Sequence, residues 1–348
     1  PTDAANATLG FGAVRVVSTP GSLRRSKLQQ AANVLRIQLS FPEHHTLWTE
    51  QDVAEFRNHR NASESRVTLG SVKAWLSHRR VLREFLDSGD ETTLILEDDV
   101  DFDIRLRTKQ IPFAQTAARR LFQSPSRNAT AYPWGSPQHW DLLYIGHCGD
   151  FLSTHSEKGN VPGVGTQRPS DLSQLPHTVY ADETVPRGTD LHPWTAHFLL
   201  ALDIPQQHRL LHRSVRPFCS FGYAITRTTA EKLLAELAPA HEVVWAKAYD
   251  VALFHACKKQ LTCYTLTPEI FHHMNGISMI AKSIGKTKST PVDLAGRPQE
   301  DWRRETSNIG CGFWSGDFYP TSASHLAHLQ REVGDKGQCL KSDSKKPA

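Results

Sequence analysis

The sequence predicts one α/β domain in which a mainly parallel, Rossmann-like sheet is covered by helices on both faces. Short apolar runs alternate with longer amphipathic runs along the chain, as expected for alternating strands and helices. The short run at 92–96 is continuously apolar, which is typical of a strand buried on both faces, and the run at 140–145 is predicted as another buried strand. The chain has 348 residues, 39% of them hydrophobic, which is sufficient for such a core.

The first part of the chain predicts a β-α-β opening and then one long helix. A β-rich run at 13–18 is followed by a helical stretch at 22–33 and a second strand at 34–39. Between residues 68 and 87 the apolar residues recur at helical spacing, and Gly89 follows as a stop signal.

The same alternation continues to about residue 266. Segments 124–139 and 153–193 are rich in Pro, Gly, Ser and Thr, so we expect surface loops, the longer one a lid or binding loop. We place the main domain at 1–275 and a mostly irregular C-terminal extension, packed on it or trailing from it, at 276–348. The predicted helices are 110–122, 228–237 and 243–257, and the predicted strands are 140–145, 220–226 and 261–266.

Charge and hydropathy exclude two classes of protein. Forty Lys and Arg against 36 Asp and Glu give a net charge of +4, and the basic residues are scattered, so nucleic acid is not an expected partner. The longest apolar stretches, such as 195–202, are far shorter than the roughly 20 residues that span a bilayer.

Three features indicate the secretory pathway. The six cysteines are an even number and compatible with disulfides, although 15 pairings are open to six cysteines. Three glycosylation sequons begin at Asn6, Asn61 and Asn128. The chain begins at Pro1 rather than Met, so we expect a removed signal or signal-anchor upstream.

The most informative segment is an acidic run that directly follows the apolar strand at 92–96. Residues 97–103 contain five carboxylates, whose mutual repulsion is costly unless they are solvated or meet a cation. Ligands of open α/β sheets bind just beyond the carboxyl ends of strands. Oxygen ligands without adjacent Cys or His suit Mg²⁺ or Mn²⁺, which would also bind a nucleotide diphosphate. The alternative is a solvated acidic turn.

If the run continues as an extended chain, the side chains of successive residues point to opposite sides. We expect Glu97, Asp99 and Asp101 on one side and Asp98 on the other. Asp99 is the first candidate metal ligand and Asp101 the second, while Glu97 and Asp98 would orient the ribose or the waters on the metal.

Several blocks of sequence carry a family resemblance in a fixed order. A glycine and a helix ending in Leu-Ser-His (LGSVKAWLSHRRVL, 69–82) precede a strand ending in Leu-Glu-Asp-Asp (LILEDDV, 94–100). This pattern resembles glycosyltransferase family 25, which includes bacterial lipopolysaccharide and animal collagen galactosyltransferases. The family's other blocks are similar to VVSTPGSLRR at 16–25, FCSFGYAITR at 218–227 and AEKLL at 230–234. The start NATLGFG at 6–12 looks like that of fungal members, which usually carry an N-terminal membrane anchor upstream.

The resemblance spans roughly residues 8–275 and implies a GT-A fold with an inverting mechanism. It also implies a UDP-sugar donor, often UDP-galactose, a glycan or glycoprotein acceptor, and the Golgi lumen as the location of a type II membrane protein. Asp250 lies where the family carries an aspartate at a helix start, so it is the candidate base. The chain departs from the family at 19–22, where TPGS replaces an aspartate-containing turn, and this puts the nucleotide contacts there in question.

Other residues complete the candidate site. Ser18, Arg24 and Arg25 follow the first strand and would approach the uridine or diphosphate of the donor. One of His272 and His273 would complete the metal shell from a second strand end. The reserve bases, in the long loop, are Asp182 and Glu183. His78 is the last residue of the Leu-Ser-His tripeptide within the long predicted helix, where a structural hydrogen-bonding role is the favoured interpretation.

Three alternatives remain open from the sequence. A cation-dependent carbohydrate-binding protein without turnover is favoured if Asp99 is buried in a salt bridge. A glycoside hydrolase requires two carboxylates that face each other across a sugar, which adjacent residues of one strand end do not supply. The same machinery could also transfer glucose or mannose.

Overall fold

The computed structural model describes residues 3–19, 21–42, 47–58, 64–123, 129–152, 168–191, 193–273, 311–313 and 318–340. The strands among these residues are β1 (Ala13–Val17), β2 (Leu39–Ser40), β3 (Thr92–Glu97), β4 (Val100–Phe102), β5 (Leu142–Gly146), β6 (Gly149–Asp150), β7 (His177–Ala181), β8 (His208–Arg213), β9 (Pro217–Phe218), β10 (Gly222–Thr226), β11 (Cys263–Thr267) and β12 (Phe271–His273).

The helices occupy the intervals between these strands. They are α1 (Leu23–Val34), α2 (Glu50–Phe56), α3 (Leu69–Ser88), α4 (Ile111–Leu121), α5 (Pro169–Ser173), α6 (Pro193–Ala201), α7 (Arg227–Lys232), α8 (Tyr249–Lys259) and α9 (Ala323–Leu329). Single π-helical turns precede α4 (Leu106–Gln110) and follow α7 (Leu233–Leu237) and α9 (Gln330–Asp335). None of the described helices is long and apolar enough to cross a membrane.

Eight strands form one central sheet in the order β2-β1-β3-β10-β5-β11-β8-β7. β1 is parallel to both β2 and β3, and β5 is parallel to β11. β10 and β8 run antiparallel to their neighbours, so six of the eight strands share one direction. β4 pairs with β12, and β6 with β9, as two short ribbons outside this sheet.

Helices cover both faces of the sheet, which confirms the predicted α/β architecture. Leu94 and Leu96 of β3 face a core shared with α1 and α4, while Ile95 between them faces a second core shared with α3, α7 and α8. The continuous apolar run of β3 follows directly from this burial on both sides. The long helix α3 is capped by Thr68, whose side chain accepts from Ser71 N, and ends at Gly89 with φ +80°.

Four predicted boundaries differ from the structure. The strand predicted at 34–39 is reduced to Leu39–Ser40, because α1 continues through Val34. The helix predicted from residue 243 begins at Tyr249, because Glu242 accepts hydrogen bonds from Ser65 Oγ and Arg66 N, which hold that stretch as a loop. The loop predicted at 153–193 contains α5 and β7 in its described part, and the extension at 276–348 contains α9.

The described part of the C-terminal extension packs into the same core as β1 and β3. Phe313, Phe318 and Val333 are buried there, and Gly334 lies against the carbonyl oxygen of Val34. All six cysteines are paired in disulfides, which the sequence left open. The pairs are Cys148–Cys219, Cys257–Cys263 and Cys311–Cys339.

Candidate active site

The acidic run lies at an edge of the sheet where several strand ends meet. Because β1 and β3 are parallel neighbours, Ser18 and Glu97 lie at the same carboxyl edge. β10 begins at this edge, where Gly222 pairs with Leu96, and β5 ends there with Gly146 opposite Gly222. In open α/β sheets this edge is the usual place for a ligand.

Asp98 and Asp99 form a turn after β3 and face the segment that follows β1. Ser18 Oγ donates to Asp98 Oδ2 at 2.7 Å. Arg24, in the first turn of α1, places Nε 3.1 Å from Asp98 Oδ1 and Nη1 3.3 Å from Asp99 Oδ2. Arg24 is 38% exposed, so its guanidinium can also meet an incoming anion. These four residues bring two carboxylates, a hydroxyl and a cation together.

Asp99 also faces the end of the β12 strand, and one of its oxygens lacks a partner. His273 Nε2 lies 3.4 Å from Asp99 Oδ2. Asp99 Oδ1 is buried and has no hydrogen-bond partner among the described residues. Burial alone would raise the pKa of Asp99, but His273 and Arg24 outweigh it and the net pKa is lowered. Asp99 is therefore an ionised carboxylate with one buried oxygen available to a cation.

Glu97 belongs to a separate hydrogen-bond chain that the sequence did not reveal. Its Oε1 lies 3.3 Å from His78 Nε2 and accepts from Ser220 Oγ at 3.0 Å. The other ring nitrogen of His78 lies 3.1 Å from the hydroxyl of Tyr223, which is 3.0 Å from that of Tyr249. His78 is buried, as the structural interpretation expects, and it also fixes the direction of Glu97. Such a chain is assembled from four separate segments, so no local pattern signals it.

Asp250 approaches the same region from the first turn of α8. Its carboxylate accepts from Val251 N at 2.8 Å and from Cys219 N at 3.3 Å. Burial raises the pKa of Asp250, and the negative charge of Glu97 raises it further. A carboxylate with a raised pKa is a stronger base than an exposed one, so this position suits proton abstraction.

The expectation that Glu97, Asp99 and Asp101 share one side is not met. The backbone turns at Asp98 and Asp99 instead of continuing as a strand, so the two-residue alternation is lost. Asp101 lies on β4, is 2% exposed, and accepts from Phe313 N at 2.7 Å. We therefore leave Asp101 out of the proposed metal shell.

The two adjacent histidines of β12 point to different surroundings. His272 is fully buried, and its Nδ1 lies 3.2 Å from Glu269 Oε1. His273 is 40% exposed beside Asp99, so it is the member of the pair that remains a candidate ligand. Of the two adjacent arginines, Arg25 places its guanidinium 4.3 Å over the ring of Phe41, while Arg24 contacts the acidic run.

Asp182 and Glu183 lie outside this cluster. Asp182 and Arg209 are both fully buried, and Arg209 Nε donates to Asp182 Oδ2 at 2.6 Å. A carboxylate held in this way has no access to an acceptor, so its role is structural. Glu183 is exposed and pairs with Lys109. Of the three candidate bases, Asp250 is the one whose pKa is raised by the charge of Glu97, so it lies nearest to the acidic run.

The described residues contain no group of three or more His, Cys, Asp and Glu side chains arranged to hold a metal ion. Asp99 and His273 are two candidate ligands, with Asp99 Oδ2 and His273 Nε2 3.4 Å apart. Mg²⁺ and Mn²⁺ commonly take one or two protein ligands and fill the rest of the shell with water and substrate phosphates. A carboxylate together with an imidazole suits Mn²⁺ better than Mg²⁺, which prefers oxygen.

The chain matches no known family profile. No curated protein is significantly similar to it either.

Proposed function

We propose that this chain is a metal-dependent, inverting glycosyltransferase with a GT-A-like fold. It transfers a sugar, with galactose as the first to test, from a UDP-sugar to a hydroxyl of a glycan or glycoprotein. The observation that carries the proposal is Asp99, an ionised carboxylate at a strand end whose buried Oδ1 has no partner among the described residues. The order of the family 25 blocks in the sequence supports the same class.

The residues around Asp99 fit the diphosphate of such a donor. Asp99 and His273 would hold Mn²⁺, which when bound offsets the negative charge that develops on the departing diphosphate. Arg24, now paired with Asp98 and Asp99, would turn toward a phosphate oxygen and bind it through charge-assisted hydrogen bonds. Ser18 holds Asp98 in place, so the carboxylate does not compete for the metal.

We assign the nucleoside of the donor to a cavity close to Arg24. A cavity of about 490 Å³ lies at the start of α1, lined by Ser22, Arg25 and Phe41 among others. Its surface combines an aromatic ring, a guanidinium and side-chain amides, which can stack on and hydrogen-bond to a pyrimidine. Arg25 would then contact the uridine while Arg24 contacts the diphosphate, a division that the sequence left open for this pair.

Asp250 takes the proton in the transfer step. The acceptor oxygen attacks the anomeric carbon from the side opposite the diphosphate, and its proton moves to the Asp250 carboxylate. The new glycosidic bond forms as the bond between the anomeric carbon and the phosphate oxygen breaks, which inverts the anomeric configuration. The raised pKa of Asp250 favours this proton transfer.

A second candidate function is cation-dependent carbohydrate binding without turnover. It is favoured by one observation: Asp99 is buried and ion-paired with Arg24, so the pair could serve a structural purpose alone. Turnover separates the two functions, because only the transferase releases UDP from UDP-galactose in the presence of an acceptor.

We propose the secretory pathway, and the Golgi lumen within it, as the place where the protein acts. All six cysteines are paired, and such disulfides form and persist in oxidising compartments.

Isothermal titration of UDP, with and without Mn²⁺, tests the proposed site. We expect the wild type to bind UDP only with Mn²⁺, and Asp99→Asn to weaken binding by at least about tenfold, because the neutral amide is a poor metal ligand. Asp101→Asn is the matched control: the same change two residues away, on a side chain that faces Phe313 N, should leave UDP binding unchanged. Folded wild-type protein that binds no UDP under any metal condition would rule out the UDP-sugar donor.

A further inference from the structure

A second concave site lies at the opposite edge of the sheet from the acidic run. Gly12 N bonds to Thr92 O just before β1, where β3 begins, so these residues mark the amino ends of the two strands. A cavity of about 250 Å³ opens there. The strands separate it from the acidic run by their whole length, so it is distinct from the candidate active site.

The cavity has the surface chemistry of a saccharide site. Its lining includes the aromatic residues Phe11, Tyr132 and Trp134 and the polar residues Asn6 and Glu91. Phe11 and Trp134 are buried and stack with ring centroids 5.1 Å apart, and Trp134 Nε1 donates to Leu9 O at 2.9 Å, so they form a fixed floor. The half-buried Tyr132 is the one of these three rings that is open to a ligand. Aromatic and carboxylate groups together suit a sugar ring, which has an apolar face and hydroxyls at its edge.

Asn6 is both a wall residue of this cavity and the first residue of an Asn-Ala-Thr sequon. It is exposed, and its Oδ1 accepts from Gly10 N at 2.7 Å and from Thr8 Oγ1 at 3.3 Å. Both bonds use the amide oxygen, and the amide nitrogen, to which a glycan would be attached, takes no part in them. Asn61 and Asn128, the acceptor residues of the other two sequons, lie outside the described residues.

We propose that Asn6 carries an N-linked glycan whose first N-acetylglucosamine lies in this aromatic cavity. In the attachment step, the bond between Asn6 Nδ2 and C1 of the sugar forms, and the bond from C1 to the phosphate of a lipid-linked oligosaccharide breaks. The lipid diphosphate leaves, and the amide proton passes to a base of the transferring enzyme. The inference rests on secretion, which the three disulfides support, and not on the proposed transferase activity.

Peptide mapping of protein secreted from a eukaryotic cell tests the modification. We expect a glycan on the Asn6 peptide of the wild type and of Thr8→Ser, which keeps the sequon. Asn6→Asp should lack it while keeping the acceptor for Gly10 N, so the local backbone stays intact. An unmodified Asn6 in secreted protein with all three disulfides formed overturns the proposal.

Cleavage by an endoglycosidase between the two core N-acetylglucosamines tests the placement in the cavity. We expect the Asn6 glycan of native protein to be cleaved at least about tenfold more slowly than that of denatured protein. Tyr132→Ala should raise the native rate, whereas Tyr132→Phe, which keeps the ring, should not. Equal rates for native and denatured wild type would show that the glycan lies free in solvent, and this comparison does not depend on how the variants fold.

Discussion

Two carboxyl groups at the candidate site have pKa values shifted in opposite directions by their surroundings. Arg24 and His273 keep the pKa of Asp99 below its usual range despite burial, while burial, together with the charge of Glu97, raises the pKa of Asp250. Two similar groups whose pKa values are shifted in opposite directions are typical of active sites in which each group has a different chemical role. Asp99 is suited to hold a cation and Asp250 to accept a proton.

Replacement of the candidate base tests this division. We expect Asp250→Asn to lower kcat by about 10²–10⁴-fold, because general-base catalysis contributes on that scale, with Mn²⁺-dependent UDP binding unchanged. In the wild type, kcat/KM should fall as pH falls through the raised pKa of Asp250, above the ordinary value of about 3.9. The measurement is kcat/KM against pH, in which the variant should lack this acidic limb.

The stability of the same variant provides its control. When folding raises the pKa of a carboxyl, the resulting stabilisation is fully present below the unfolded pKa and is lost as pH rises through the folded pKa. At neutral pH the amide of Asp250→Asn removes this buried charge but keeps only one of the two oxygens that accept from Val251 N and Cys219 N, so the free energy of unfolding should change by no more than about 1–2 kcal/mol. Glu183→Gln, an exposed carboxyl outside the site, should change neither activity nor stability; a loss of kcat in this variant equal to that in Asp250→Asn would contradict the assignment.

Among the elements, the close approach of β5 and β10 determines where β12 lies. Gly146 ends β5 opposite Gly222, and a Cβ added at Gly146 would lie 2.9 Å from Gly222 Cα and 3.0 Å from Phe271 Cβ. Phe271 begins β12, the strand that ends at His273. The absence of a side chain at Gly146 thus allows β12 to cross the sheet edge and bring His273 to Asp99.

Gly146→Ala should therefore weaken the candidate site as well as the fold. We expect a loss of about 1–3 kcal/mol in the free energy of unfolding, as for other overpacked cores, and weaker Mn²⁺-dependent UDP binding because β12 must move. Gly89→Ala is the control: this cap has φ +80° and open space around it, so stability should fall by about 1–2 kcal/mol with UDP affinity intact. Urea unfolding and UDP titration of both variants check the difference.

The described part of the C-terminal segment packs against elements from the first third of the chain. The Cys311–Cys339 disulfide closes it, Phe313 N donates to the buried Asp101, and Gln330 Nε2 donates to Asn33 O at the end of α1. These contacts support β4, which lies within the acidic run, and α1, whose Arg24 contacts Asp98 and Asp99. The extension is thus part of the main core, and no separate core is found for it among the described residues.

The disulfides allow a prediction for the whole molecule. The paired change Cys311→Ala with Cys339→Ala should lower the free energy of unfolding by about 2–4 kcal/mol, because a loop of this length is released in the unfolded chain. The sequence separation is 28 residues here and 6 for Cys257–Cys263, so removal of the shorter bridge by the same substitutions should cost less. Denaturant unfolding compares the two variants, and an equal or larger loss for the shorter bridge would contradict the loop argument.

Much of the fold followed from local pattern. The bounds of β3 and α3, including the stop at Gly89, were predicted within one or two residues. Burial on both faces and helical spacing each produce a pattern among residues that are close in sequence, so the chain itself shows them. β8 was missed because its sequence, HRLLHR, includes a buried Arg209 and a buried His212. Their burial is tolerable only with partners such as Asp182, which come from elsewhere in the chain.

The sequence by itself determined the α/β alternation and the acidic run at the end of a buried strand, since both depend on residues adjacent along the chain. Tertiary structure alone decided which carboxylates share a site. Because of the turn at Asp98 and Asp99, Asp101 does not lie in the same site as Asp99. The register of β12 against β4 places His273, and not His272, beside Asp99. These choices join Arg24, Asp99 and His273 across some 250 positions, and only the packing of the sheet fixes such distances.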